Sequence, residues 1–185
     1  IPGTVYAGEP DEGAEVSELP SHETIAADPM QLMEATLAVE RQVQAGGPWL
    51  TQYSGGRTIT VTPPAAPLST AEMDALYALP FTRLPHPSYH ETIPALEMIA
   101  WSITSHRGCG GGCSFCSLAL HQGRRIVSRS ERSILAEAAG FAAMPGFKGS
   151  ISDVGGPTAN MWEARCAAVP AECARSSCLA PAICP

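Results

Sequence analysis

The chain has 185 residues, 45% of them hydrophobic, and a formal net charge of −7. That length suits one domain with a real core or two small ones, and the apolar content excludes an acidic disordered protein. No apolar run is long enough to cross a bilayer, and seven cysteines without a secretory signal argue for metal-bound thiolates in a reducing compartment over a disulfide framework.

The start, Ile1-Pro2-Gly3-Thr4, lacks an initiating Met, a basic n-region and an apolar h-region. No signal peptide is expected, and the opening reads as the middle of a longer protein. Val5 to Ala7 is expected to be a strand end, and the acidic stretch Gly8 to Pro20 a loop. Asp28-Pro29 opens a helix, with Asp28 as N-cap and Pro29 in the first turn. Leu32, Leu37, Val39 and Val43 give it an apolar face to about Ala45, and Gly46-Gly47-Pro48 ends it. Trp49–Tyr53 and Thr58–Thr62 flank Ser54-Gly55-Gly56-Arg57, which predicts a β-hairpin. Thr62 to Pro67 is a stiff, proline-rich linker.

Ser69-Thr70-Ala71-Glu72 has capping-box spacing and predicts a short helix through Leu79, stopped by Pro80. Leu84 to Pro94 carries three prolines and no periodicity, so it reads as loop. Met98 to Thr104 is a compact apolar run, read as a buried strand. A second capping box is expected at Ser128-Arg129-Ser130-Glu131. It precedes a helical stripe of Ile134, Leu135, Ala138, Phe141 and Ala142, whose simplest role is core packing. Gly149 to Val154 is the next strand. Strand, crossover helix and strand make a βαβ unit with a parallel sheet, whose ligands gather at the C-terminal strand ends.

At that end lies the run His106-Arg107-Gly108-Cys109-Gly110-Gly111-Gly112-Cys113-Ser114-Phe115-Cys116. Three thiolates so close can bind three irons of a [4Fe–4S] cube, which takes four ligands when fully ligated. One iron then stays open to a small molecule. The glycines around Cys109 let the backbone wrap the cube at close range. A structural zinc site is the competing reading; it would need a fourth ligand, and His106 and His121 are the nearest candidates. Those two histidines would otherwise tune a cluster by hydrogen bonding or simply pack or face solvent. His22, His86 and His90 support no assignment. Asp153, at the end of the second strand, reads as a cap or a cofactor contact.

Charge is spread unevenly. Residues 1–50 hold nine acids and one base, whereas residues 101–150 hold two acids and six bases. Arg107, Arg124, Arg125, Arg129, Arg132 and Lys148 surround the cysteine loop. They can hold an anionic cluster or substrate, or form a solvated face. A nucleic-acid footprint needs more positive charge, and none is indicated.

The cysteine spacing, the aromatic Phe115 before the third cysteine and the glycines together resemble the signature of radical S-adenosylmethionine (SAM) enzymes. Further stretches resemble the YgiQ-type radical SAM family: Leu79 to Arg83, His86 to Tyr89, Ser102 to Cys109, Leu120 to Arg124, Ser128 to Glu131, Asp153 to Asn160 and the cysteine-rich tail. The likeness is strong from about Leu76 to Pro185. It is looser before that, where the chain looks like the end of the family's N-terminal domain.

The resemblance implies an α/β fold: the start of a partial (β/α) radical SAM barrel, preceded by a small α+β segment. Residues 1–68 would be the tail of an N-terminal domain, with the helix, the hairpin and the linker. Residues 69–185 would begin the radical SAM core, most of which would lie beyond Pro185, so the piece alone is expected to be inactive. Its sheet is expected to expose an unpaired edge.

The implied activity is reductive cleavage of SAM to methionine and a 5′-deoxyadenosyl radical that abstracts hydrogen from a substrate the sequence does not identify. Cys109, Cys113 and Cys116 would ligate the [4Fe–4S] cluster. Phe115 would border the adenine, and Gly155 and Gly156 would let the backbone approach the methionine part of SAM. Pro157 stands where the superfamily has an acid. The implied setting is cytoplasmic, with a reductant such as flavodoxin or ferredoxin. An electron-transfer iron–sulfur protein, or a zinc-stabilised structural or interaction module, are the alternatives.

Cys166, Cys173, Cys178 and Cys184 form a second group among Pro170, Pro181 and Pro185. Four thiols in so short a segment fit zinc or a second Fe–S cluster, or are plain reduced thiols.

Overall fold

The computed structural model describes residues 1–157, 160–166, 173, 175 and 177–184. A four-stranded sheet is built from β1 (Val5–Ala7), β2 (Val16–Glu18), β3 (Trp49–Ser54) and β4 (Arg57–Val61), in the order β1-β4-β3-β2. β1, β4 and β3 pair antiparallel, and β2 joins β3 in parallel. The β3–β4 hairpin is the expected one. Ser54 faces Arg57 across Gly55 and Gly56, whose φ values of 56° and 80° meet the demand of a two-residue turn for left-handed backbone.

β2 lies inside the stretch expected to be a loop. Its short, acidic sequence carries no strand signal, and it is held by pairing with the better strand former β3, a tertiary effect. A short helix, α1 (His22–Ala27), also went unforeseen; its N-cap is Ser21, which accepts the Thr24 N–H. Next comes α2 (Pro29–Ala45), with Asp28 accepting the Met30 N–H and Gly46 at its end, as expected. Its buried residues are Ala35 and Gln42, while Leu32 and Leu37 are exposed. Gln42 satisfies its burial by donating to the carbonyls of Pro48 (2.8 Å) and Val61 (3.3 Å).

α3 (Thr70–Tyr77) starts at Ser69 with both hydrogen bonds of a capping box. The proline-rich stretch 84–94 is irregular. The apolar run after it splits in two. Leu96–Ile99 forms a helical turn, α4, with Met98 and Ile99 exposed, and only Ser102–Thr104 is strand, β5. Apolar composition alone does not separate the two states. What fixes the strand's start is Trp101, packed edge-on against Phe141 (centroids 5.4 Å apart) and Phe147 (5.1 Å).

Beyond β5, β6 (His106–Arg107) pairs antiparallel with β7 (Val127–Ser128), enclosing the cysteine loop and α5 (Leu118–Gln122). α6 (Glu131–Phe141) begins at Ser130, which accepts the Ser133 N–H. The cap therefore sits two residues after the expected Ser128, which is in β7 and accepts the Glu163 N–H at 2.7 Å. Phe141 is fully buried, whereas Leu135, placed in the sequence stripe, is exposed. β8 (Asp153–Gly155) pairs in parallel with β5, Ile103 facing Val154. The βαβ unit is thus present, with a shorter second strand than expected. The fold is mixed α/β. Among the described residues β8 pairs with β5 alone, and Val154 is 52% exposed.

Two polar clamps hold this unit. Arg129, with a fully buried side chain, donates to the Thr104 carbonyl (2.9 Å) and to Ser133, and pairs with Glu137. Arg83 pairs with the other oxygen of Glu137 and caps the carbonyls of Ala100 (2.7 Å) and Ser102 (2.9 Å), which covers that edge of β5.

Asp74 on α3 is the second clamp. It accepts from the Ser130 N–H (2.9 Å) and hydroxyl (2.5 Å), tying α3 to the start of α6. Burial opposes ionisation of Asp74, but the Ser130 hydrogen bonds, with smaller help from Ser133 and the Arg129 charge, outweigh it and hold the carboxyl below its usual range. A depressed carboxylate stabilises the fold above its unfolded pKa of about 3.9 and loses that contribution as pH falls through the folded value. Asp74→Ala is expected to cost about 1–3 kcal/mol at neutral pH. Urea unfolding should show the difference from the parent protein shrinking as pH falls below the unfolded value and through the lower folded one.

Candidate metal centre

Cys109, Cys113 and Cys116 leave the C-terminal end of β5 on a loop that starts at β6. The backbone is placed by three bonds: Ser105 N–H to the Gly155 carbonyl (2.7 Å), Arg129 N–H to the Ser105 carbonyl (2.9 Å) and Cys109 N–H to the Gly123 carbonyl (3.0 Å). The loop's origin therefore stands beside the end of β8, where the βαβ reading put it. Gly108 has φ +91°, and a Cβ on it would overlap the Arg125 carbonyl.

No disulfide joins the cysteines among the described residues. Cys109 is buried, Cys116 half-buried and Cys113 exposed. Gly111 lies between two of the sulfurs. A Cβ there would stand 3.3 Å from Cys109 Sγ and 3.6 Å from Cys113 Sγ, and the Gly111 N–H lies 3.4 Å from Cys109 Sγ. This is a side-chain-free cradle faced by two thiols, with Cys116 following through a turn in which its N–H donates to the Cys113 carbonyl (3.0 Å). Among the described residues no three His, Cys, Asp or Glu side chains already form a ligand set. The chemistry of the donors and the open cradle fit a cluster held on three thiolates.

The other expected contacts fall into place unequally. Phe115, before the third cysteine, is 90% exposed. Gly155 and Gly156 follow one another at the end of β8, but Gly156 packs on the His106 ring, which a Cβ would overlap. That glycine is needed for packing whatever else approaches it. His106 is fully buried, with Nδ1 and the Ser105 hydroxyl 2.9 Å apart. His121 is exposed at the end of α5. The Asp153 carboxylate lies beside Gly155, 3.4 Å from where a Cβ would be.

The basic residues are not one patch. Arg129 is a buried clamp, and Arg107 is exposed and donates to the Tyr77 hydroxyl (3.0 Å). Arg124 donates to Gln44 of α2 (2.7 Å) and to the Arg175 carbonyl (2.9 Å). Gln44 in turn donates to the Cys173 carbonyl at 2.6 Å. Sequence reasoning missed Gln44, because a polar residue near a helix end looks like any solvated one.

The tail lies on the cysteine loop. Cys178 N–H donates to the Gly110 carbonyl (2.8 Å), and the Ser177 hydroxyl donates to that of Gly111 (2.6 Å).

Comparison with known proteins gives the family of the chain. The family described as "Radical SAM N-terminal" matches residues 1–102, running past the proline-rich linker to the first residue of β5. A UPF0313 protein of Geobacter sulfurreducens is 53% identical over 175 residues, covering 92% of this chain and 29% of the relative. A UPF0313 protein of Methanocella arvoryzae is 48% identical, covering 91% and 28%. The UPF0313 protein YgiQ of Escherichia coli K12 is 48% identical over 172 residues, covering 90% and 23%. The chain thus spans less than a third of the length of these relatives. No solved structure matches it. Among the described residues no helix is long and apolar enough to cross a membrane.

Proposed function

The chain belongs to the Radical SAM N-terminal family, and from that premise we propose that it carries the cluster-binding start of a cytoplasmic YgiQ-type radical SAM enzyme. In this reading residues 69–185 open a partial (β/α) barrel, with β5, α6 and β8 as its first strand, helix and strand. The observation that carries it is the glycine cradle of Gly111 between Cys109 and Cys113, on a loop leaving the C-terminal end of β5.

Cys109, Cys113 and Cys116 would hold a [4Fe–4S] cluster. With SAM bound, that group supplies reductive cleavage of the sulfonium to methionine and a 5′-deoxyadenosyl radical. This chain's residues bind and shield. The Gly111 N–H faces the Cys109 sulfur, a contact that tunes a bound thiolate. Phe115, exposed beside the third ligand, offers a ring face to the adenine. Gly155 keeps the end of β8 open to a small ligand, with the Asp153 carboxylate beside it as a partner for the SAM amine in place of the acid that Pro157 replaces. A reductant of the flavodoxin or ferredoxin kind would supply the electron. The hydrogen donor would meet residues of later strands.

The test is anaerobic reconstitution of the full-length protein. Cys113→Ala is expected to lose the cluster. Adding SAM is expected to change the electron paramagnetic resonance spectrum of the reduced cluster and to yield 5′-deoxyadenosine by chromatography. A spectrum indifferent to SAM with no 5′-deoxyadenosine leaves an electron-transfer protein, and a colourless, air-stable zinc protein would sink both.

A further inference from the structure

The four tail cysteines share one chamber. Cys166, Cys173, Cys178 and Cys184 all line a cavity of about 450 Å³ that Gly110 also borders. Their separation in sequence gives no reason for this; the chain path does. The Arg175 guanidinium gathers the segment by donating to the carbonyls of Ser177 (3.0 Å) and Ala182, and Cys184 N–H donates to the Cys178 carbonyl at 2.7 Å.

The same wall carries Arg124, Arg125 and Arg165, and no Asp or Glu among the described residues. Arg124 Nε is buried there without a hydrogen-bond partner. A cavity with four thiols and three arginines, of which Arg124 is held by Gln44 and the Arg175 carbonyl, suits an anionic occupant. A divalent metal held by four thiolates is such an occupant, carrying a net charge of −2 from its ions. The count matters too. Three thiols leave a cluster open, as in the first loop, whereas four close a site.

We propose that Cys166, Cys173, Cys178 and Cys184 form a second, closed metal centre, a tetrathiolate site for zinc or an iron–sulfur cluster. For a single divalent ion, four thiols bind one metal and release four protons, which leaves the dianion facing the arginines. For a cluster, the same thiolates bind iron and sulfide supplied together. As placed, the sulfurs line the wall and do not yet meet in a ligand set. Their final positions are set by the metal, as in other sites where binding and local folding are coupled. The centre would abut the first one, since Cys178 Sγ stands 3.0 Å from where a Gly110 Cβ would be. This inference does not depend on the radical SAM reading.

The experiment uses the full chain with Cys178 and Cys184 both changed to Ser. Zinc, iron and sulfide are counted per chain after anaerobic loading with zinc in one arm and with iron and sulfide in the other. The double variant is expected to lose one metal centre relative to the parent in one of the arms. The reciprocal chain, with Cys109, Cys113 and Cys116 changed to Ala, is expected to keep that same centre. Zinc retained in the first arm, or iron and sulfide in the second, identifies the occupant. Metal content unchanged by Cys178→Ser with Cys184→Ser in both arms overturns the proposal, even if the reciprocal chain fails to fold. Failure of the first site reads out separately, as metal content insensitive to Cys113→Ala.

Discussion

Glu137→Ala is expected to destabilise the protein by about 3–5 kcal/mol, the cost of leaving a buried charge without its partner. Glu137 is the one carboxylate paired with both Arg83 and Arg129 among the described residues. Arg129 has no solvent-exposed side chain, so water cannot take over the lost interaction. Arg83, stacked 4.4 Å from the centroid of Phe141, would lose its hold on the β5 carbonyls. Against a typical total of about 5–15 kcal/mol, that loss is severe. Urea unfolding measures it. Glu137→Gln keeps the shape and an accepting oxygen but not the charge, and is expected to fall between the parent and Ala. A Glu137→Ala protein within about 1 kcal/mol of the parent would mean that the aromatic contacts of Trp101, Phe141 and Phe147 hold β5 to α6 without the clamp.

The parts legible in the sequence were those with local causes. Asp28-Pro29 and Gly46 bracket α2, Ser69 and Glu72 cap α3, and Gly55-Gly56 makes the hairpin, because each signal acts within a few residues of itself. The parallel pairing of β5 with β8 was also readable, since a strand, a crossover helix and a strand leave few alternatives. What escaped was set from a distance. β2 exists because β3 offers an edge. The first half of the apolar run forms α4 with Met98 and Ile99 exposed, while Trp101 after it packs on Phe141 and Phe147, partners distant in sequence. Arg129 looked like part of a basic face, yet Glu137, Thr104 and Ser133 draw it into the interior. For the site, spacing alone singled out Cys109, Cys113 and Cys116. The contact of the tail with Gly110 and Gly111, and the arginines around the second cysteine group, depend on chain path and had no local signal. Gly156 shows the converse: the glycine was noticed, but His106 is the neighbour that requires it.

Two glycines one turn of loop apart should separate the scaffold from the cradle. Gly108→Ala is expected to damage folding. Its φ of +91° costs an L-residue about 1–2 kcal/mol. Its Cβ would overlap backbone, the Arg125 carbonyl, which cannot swing aside as a side chain would, so overpacking adds about 1–3 kcal/mol. The β6–β7 pairing beside it, Arg107 with Val127, must shift to make room. Gly111→Ala meets no such obstacle: its backbone does not need left-handed φ, and its Cβ would lie 3.3 and 3.6 Å from the two thiol sulfurs, ordinary or slightly tight contacts. Its unfolding midpoint should stay close to the parent's. Yet that methyl would occupy the space between Cys109 and Cys113 that a cluster held by both thiolates would need. Iron per chain after anaerobic reconstitution is therefore expected to fall to the level of Cys113→Ala, in a protein as stable as the parent. Gly108→Ala should lose stability and iron together. A Gly111→Ala protein that keeps its full iron would show that the cluster approaches the thiols from another side, and that the cradle is only a tight turn.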